Sequence, residues 1–242
     1  MEYKKNLSSD QLISQEKMKR IIDETNMSGY IDNFNLFNTK VGISNMITRI
    51  KIFEMSMGVP GDIVECGVFR GSSFMLFYHL MSLLEPYSFN KKIIGFDSFD
   101  GFKSLNKDKD SQNFCEKMFS GCDRELLSKI ISINDLDRPL SHVSRTELIK
   151  GDAVETIPDY VKNNPNLVIS LLYLDFDIYE PTKVALENLL PCVPRGGVVV
   201  LDQFNSKKWK GETLAFMDAV GIQKYNLKKF NFAPQTSYFR VE

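Results

Sequence analysis

Between residues 62 and 202 the chain alternates short apolar runs with segments of helical length, and this rhythm restricts it to a parallel sheet flanked by helices. The strands read as DIVEC (62–66), KIIGF (92–96), ELIKG (147–151), VISLLYLD (168–175) and GVVVLD (197–202). Among them lie the helices SSFMLFYHLMSLL (72–84), a shorter one over 153–163, and PTKVALENLL (181–190). After a further short helix in GETLAFMDAVG, the runs KYNLKKFNF and QTSYFRVE predict an antiparallel pair that closes the sheet. Two helices precede it: DQLISQEKMKRIIDETNM, with Ser9 as its N-cap, and VGISNMITRIKIFEMSMG near 41–58. The expected organisation is a helical addition or lid over residues 1–60 and one α/β catalytic domain over 61–242. The polar stretch 97–146 is too long for an idle connection and is expected to be a lid, a binding segment or disordered.

Charge and cysteine usage narrow the partners. Thirty basic residues balance 31 acidic ones at a net charge of -1, which leaves no global footprint for nucleic acid or an anionic membrane. The four cysteines stand apart from one another and from both histidines, so neither a disulfide framework nor a zinc site is predicted. MEYKKNLSSD lacks the apolar core of a signal peptide, and no run approaches the ~18 apolar residues that span a bilayer. A cytoplasmic protein with a small-molecule ligand is the expectation. The apolar face Ile43, Met46, Ile47, Ile50 and Phe53 is expected to cover the sheet, or else to meet a second subunit in a homo-oligomer.

In open parallel sheets ligands bind beyond the carboxyl ends of the strands, so those ends carry the chemistry. The first gives ECGVFRGSS (65–73). Gly67 and Gly71 permit a tight turn, and the helix amides that follow can face a polar group. The spacing is E-x-G-x-x-x-G rather than G-x-G-x-x-G, and Glu65 stands where a pyrophosphate would be repelled, so a cationic nucleoside ligand suits it better. That argues against an NAD-dependent oxidoreductase. The second strand ends at Asp97, where a carboxylate can accept from both ribose hydroxyls. The third ends at Asp152, which reads as readily as a helix N-cap.

The fourth strand carries LDFDIYEPT (174–182). If extended geometry persists, Asp175 and Asp177 face the same crevice, to hold a cation or to meet a substrate proton. Asp202 and Gln203 follow the fifth strand and add oxygen donors suited to Mg²⁺. His142, in RPLSHVSRT, is the rival base, whereas His79 is expected to pack inside its apolar helix. Lys103, Arg138, Arg145, Lys207 and Lys208 could together bind a phosphate, although solvated charge is the better reading of any single one.

VECGVFRGSS, GFDSFDGF, KGDAVETIP, LDFDIYEPTKVALENLLPCVPRGGVVVLDQF and NSKKWKGETLAF with KKFNFAPQTSYF together resemble the TylF/MycF-type (macrocin) O-methyltransferases over roughly residues 40 to 242. The resemblance implies a class I Rossmann-like sheet of seven strands, S-adenosylmethionine as donor, a divalent metal such as Mg²⁺, and a sugar hydroxyl as acceptor, carried on a nucleotide. It puts Glu65, Gly67 and Gly71 at the methionine end of the donor, Asp97 at its ribose, and Asp152 and Ala153 near its adenine. Arg70, Ser72, Ser98 and Asp175 complete that cofactor-binding set. Asp175, Asp202 and Gln203 become metal ligands and Asp177 the general base, with Tyr179, Trp209 and Glu212 at the acceptor. Many members carry two consecutive aspartates after the fifth strand, where this chain has Asp202-Gln203. That departure alone motivates the alternative of a non-catalytic donor-binding protein. An acceptor destined for a surface polysaccharide or secondary metabolite is the expected pathway.

Overall fold

The computed structural model describes residues 9–242, so the reading of the first eight residues as free of a leader lies outside the described residues. The chain divides into two compact units, 1–45 and 46–242. The smaller holds α1 (Ser9–Glu24), a 3-10 segment (Met27–Phe37) kinked at Asn33, and the start of α2 (Lys40–Ser56). Ser9 opens α1 as its first residue rather than preceding it. Within this unit the Tyr30 and Phe37 rings meet edge-on at 5.9 Å. The Thr39 hydroxyl accepts from Gly42 N at 3.0 Å, which satisfies an unpaired donor in the first turn of α2.

The larger unit is the expected alternation. Its elements run β1 (Asp62–Cys66), α3 (Ser72–Leu84), β2 (Ile93–Asp97), α4 (Arg124–Asp135), β3 (Thr146–Lys150), α5 (Ala153–Asn163), β4 (Ile169–Leu174), α6 (Tyr179–Leu189), β5 (Val198–Leu201), α7 (Lys210–Ala219), β6 (Lys228–Phe230) and β7 (Ala233–Arg240). One seven-stranded sheet forms in the order β3-β2-β1-β4-β5-β7-β6. The first five strands are parallel, and β7 runs antiparallel to both its neighbours.

Period-two alternation sorts the strand residues between two cores. Ile63, Leu171, Tyr173, Val198 and Val200 pack with Ile52 and Phe53 of α2, Phe74 and Phe77 of α3, and Leu127 and Ile131 of α4. Val64, Ile94, Phe96, Leu172, Leu174, Val199 and Leu201 face Ile157, Ala185, Leu186 and Phe216 of α5 to α7. Phe53 is fully buried, as its apolar neighbours predict, but Ile47 stays exposed. His79 also departs from expectation: it sits on the exposed side of α3, edge-on to Tyr78 at 5.4 Å.

The stretch 97–146 is ordered and carries a helix the sequence reading left out. Asp123 caps α4 by accepting from Leu126 N at 2.9 Å, and only Leu127 and Ile131 of its apolar residues are buried. Asp110 fixes the stretch to the rest of the molecule. It is 2% exposed and accepts from Asn106 N and Tyr179 N, both at 2.8 Å, and the second bond caps α6 from 69 residues away. The Asn106 amide adds a bond to Glu180 at 2.6 Å, and Lys109 pairs with Asp218 at 3.0 Å.

Candidate active site

Strand register brings the predicted carboxylates together. Cys66 pairs with Phe96 on one side and Leu174 on the other, and Leu174 pairs with Leu201. One residue further along, the hydrogen bonding continues: Gly67 N donates to Phe96 O, Asp175 N to Cys66 O, and Asp202 N to Leu174 O. Asp97, Gly67, Asp175 and Asp202 therefore line up at the carboxyl edge of the four central strands.

Gly67 is required there. Its φ is +98°, and a Cβ would fall 2.1 Å from the carbonyl oxygen of Asp175. Gly71, at φ +83°, leads into α3, and a Cβ there would meet Leu127 at 2.6 Å. Between them the chain makes an exposed corner of Phe69 and Arg70, with the Arg70 guanidinium 5.3 Å over the Phe69 ring, and Ser72 opens α3 exposed. Asp97 braces this corner, accepting from Phe69 N at 2.7 Å and from Phe99 N at 2.6 Å. Ser98 donates to Gly101 O at 2.5 Å. Asp152 does cap α5, accepting from Val154 N at 3.0 Å, and its other oxygen accepts from the Ser104 hydroxyl at 2.5 Å. Ala153 is buried behind it.

Backbone strain gathers at the same edge. Phe69, Phe99, Asp177 and Asn205, in the loops after β1, β2, β4 and β5, all have positive φ. Such residues cluster at sites where geometry is over-determined by function. For Asp177, at φ +64°, this corrects one expectation: β4 ends at Leu174, so strand alternation is not what sets Asp177 beside Asp175. A left-handed turn does, and aspartate tolerates that conformation better than most residues.

Electrostatically the cluster is poised. Burial, then the charges of Asp202 and Asp177, push the Asp175 carboxyl well above its ordinary range, against the pull of Arg49. Burial, then Asp202, raises Asp177 as well, with Lys208 opposing. Glu65 is 1% exposed, and burial pushes it up to about 8, offset by Arg49 and the Ser73 hydroxyl; neither of its oxygens has a well-formed hydrogen bond. Glu212, fully buried at the start of α7, is likewise raised well above its usual value by burial.

Arg49 is a site residue the sequence reading missed, although a lone arginine on the apolar face of α2 was a signal. Its guanidinium lies 3.7 Å from Asp175 and 3.9 Å from Asp202, and 5.1 Å over the Tyr173 ring, while its Nε donates to Ser73 at 2.5 Å. Asp202 also accepts from the Tyr173 hydroxyl and from Thr236. Gln203 gives its side-chain NH₂ to Asp202 at 3.3 Å and its backbone N–H to Glu212 at 2.9 Å.

Among the described residues, no three Asp, Glu, His or Cys side chains converge closely enough to hold an ion by themselves. The oxygen chemistry nevertheless fits a hard cation completed by an amide oxygen and water. Asp177 Oδ1, Gln203 Oε1 and Glu212 Oε2 are each a buried acceptor without a donor, the kind of atom a cation satisfies.

Other candidates fall elsewhere. His142 is exposed, in the turn before β3 at the amino end of that edge strand, the opposite end from Asp177. Arg138 and Arg145 are neither phosphate ligands nor solvated. Arg145, fully buried, donates to the carbonyls of Lys91, Pro86 and Glu85, and Arg138 to those of Pro139, Leu140 and Val143 and to Asp135. A guanidinium has five donors and suits turns rich in unpaired carbonyls. Lys103 pairs with Asp100, and Lys207 is exposed. Tyr179 is buried, its hydroxyl donating to Asp218 at 2.8 Å. Trp209 joins an aromatic group with Phe102, Phe114 and Phe119, and Lys208 lies 4.4 Å over its ring.

A sheet of this order, with a reversed seventh strand and a glycine turn and acids at its carboxyl edge, is the class I methyltransferase fold. The chain belongs to the macrocin O-methyltransferase (TylF) family, whose profile matches residues 15–232. It is 29% identical over 178 residues to the 8-demethyl-8-(2,3-dimethoxy-alpha-L-rhamnosyl)-tetracenomycin-C 4'-O-methyltransferase of Streptomyces olivaceus. That match covers 69% of this chain and 62% of the relative. It is 25% identical to the mycinamicin III 3''-O-methyltransferase of Micromonospora griseorubida, over 83% of this chain and 78% of the other. Among solved structures, CalS11, a calicheamicin methyltransferase, superposes with a TM-score of 0.90 at 27% identity, covering 97% of this chain and 94% of that one. No described helix is long and apolar enough to cross a membrane.

Proposed function

We propose that this protein transfers a methyl group from S-adenosylmethionine to a hydroxyl of a sugar, carried on a nucleotide. The observation that carries the reading is the alignment of Gly67, Asp97, Asp175 and Asp202 at one sheet edge, with buried Glu65 beneath it. The relative named for a rhamnosyl tetracenomycin supports the acceptor class, as does a second structure of CalS11 described as a TDP-rhamnose 3'-O-methyltransferase.

The donor brings an activated methyl group, so the protein must align an acceptor oxygen and remove its proton. Glu65, held protonated by burial up to about pH 8 in the ligand-free protein, gives up its proton to become the counter-charge of the cationic methionine end, and Gly67 lets the donor lie against the backbone. Asp97 accepts from the ribose hydroxyls once Phe69 N and Phe99 N share its oxygens. The acceptor oxygen forms its bond to the methyl carbon as the carbon–sulfur bond breaks, and Asp177 takes the proton. A carboxylate raised by burial is a stronger base than an exposed one, which answers the need for desolvation. Asp202 and Gln203, with Asp177 nearby, are the residues that would hold Mg²⁺, which when bound lowers the pKa of a coordinated hydroxyl. Asp175, held by Arg49, would face the donor and the cation together. A lid role for the helical addition over 1–60 belongs to this same proposal.

The test is calorimetry with S-adenosylmethionine, with Mg²⁺ and again with chelator, followed by mass spectrometry of TDP-rhamnose incubated with enzyme and donor. Micromolar donor binding and a singly methylated product are expected. No donor binding under either condition overturns the reading.

A further inference from the structure

We propose that Glu212 supplies the negative charge that Gln203 lacks, so that the cation site keeps its full complement of carboxylates through a residue on a different element. The inference rests on the methyltransferase reading only for the existence of a cation site.

Glu212 lies in the first turn of α7, nine residues beyond Gln203, and is fully buried. One carboxylate oxygen accepts from the backbone N–H of Gln203, so the side chain reaches back to the position where a second consecutive aspartate would stand. The other oxygen has no donor, and neither does Gln203 Oε1 or Asp177 Oδ1. A buried carboxylate left half satisfied is costly unless a positive charge is near it. The acids that interact here are Asp175, Asp177, Asp202 and Glu212, and the cations acting on them are Arg49, on the Asp175 and Asp202 side, and Lys208. With Glu65 also drawing on Arg49, the acids outnumber these two fixed cations, and a divalent ion is what would hold them ionised together. The side chains do not converge as three direct acid ligands, so Glu212 acts from behind the amide of Gln203, fixing the charge and the backbone of that turn.

The experiment is Mn²⁺ affinity, by electron paramagnetic resonance and calorimetry, for wild type, E212Q, Q203D and the E212Q/Q203D double variant. Donor binding is measured in parallel, so that failure of the cation site is told apart from failure of the methyltransferase reading. E212Q is isosteric, and its thermal unfolding without metal, expected at or above the wild-type temperature, establishes that it folds. Mn²⁺ affinity is expected to fall about tenfold or more in E212Q, the scale of outer-shell losses at metal sites, and to return in the double variant. Three results each overturn the proposal: no Mn²⁺ binding to wild type, E212Q binding Mn²⁺ as wild type does, or a double variant that stays as weak as E212Q.

Discussion

Asp177 shows how much one residue is asked to do. It holds a left-handed backbone, sits among carboxylates, and has its acidity suppressed by burial. If it is the base, D177N retains donor affinity and loses methyl transfer by a factor on the order of 10² to 10⁴, the usual contribution of a positioned acid or base. Because the base must be deprotonated, the wild-type rate should rise with pH through the ordinary neutral range, and a pH–rate profile checks this. Gly67 gives a second test. In G67A the new methyl meets the Asp175 carbonyl and strains the backbone, so donor binding should be lost and urea denaturation should show destabilisation of at least about 1 kcal/mol. Legibility differed sharply among these residues. Glu65, Gly67, Asp97, Asp175 and Asp202 were readable because each ends a strand, and strand ends in a parallel sheet share an edge. Arg49 and Asp110 were not, because they act across 126 and 69 residues of chain, on Asp175 and Tyr179 respectively, with no motif tying them to their partners.

At the level of elements, β1, α3 and α5 fell where periodicity put them, since each is long enough and its apolar positions regular enough to fix its bounds. The helix α4 hid because only two of its apolar side chains are buried, while Leu126, Ile130 and Ile133 remain exposed. Its N-cap is the one local signal, and D123A should cost about 1 kcal/mol in thermal or chemical unfolding. The arginines at the amino side of β3 make a different prediction. R145M leaves the carbonyls of Lys91, Pro86 and Glu85 without their shared donor, so it should destabilise by roughly 1–3 kcal/mol while leaving donor affinity unchanged. An arginine acting on a phosphate of the acceptor would instead leave stability unchanged and weaken acceptor binding.

For the whole molecule, the buried acids make stability depend on pH in an unusual direction. Glu65 has a folded-state pKa above its unfolded value, raised to about 8 by burial. Its contribution is therefore complete below the ordinary glutamate range and is lost as pH rises toward 8. The melting temperature of the ligand-free protein should fall between about pH 5 and about pH 8, and E65Q should flatten that slope. The long segment after β2 belongs to this scale too, because Asp110 ties it to the first amide of α6. That single bond makes the Tyr179 amide a clock for the segment: its proton exchanges with solvent only when Asp110 lets go. Deuterium uptake at one backbone position, read with and without acceptor, would then time the opening of a stretch of chain far removed from it in sequence.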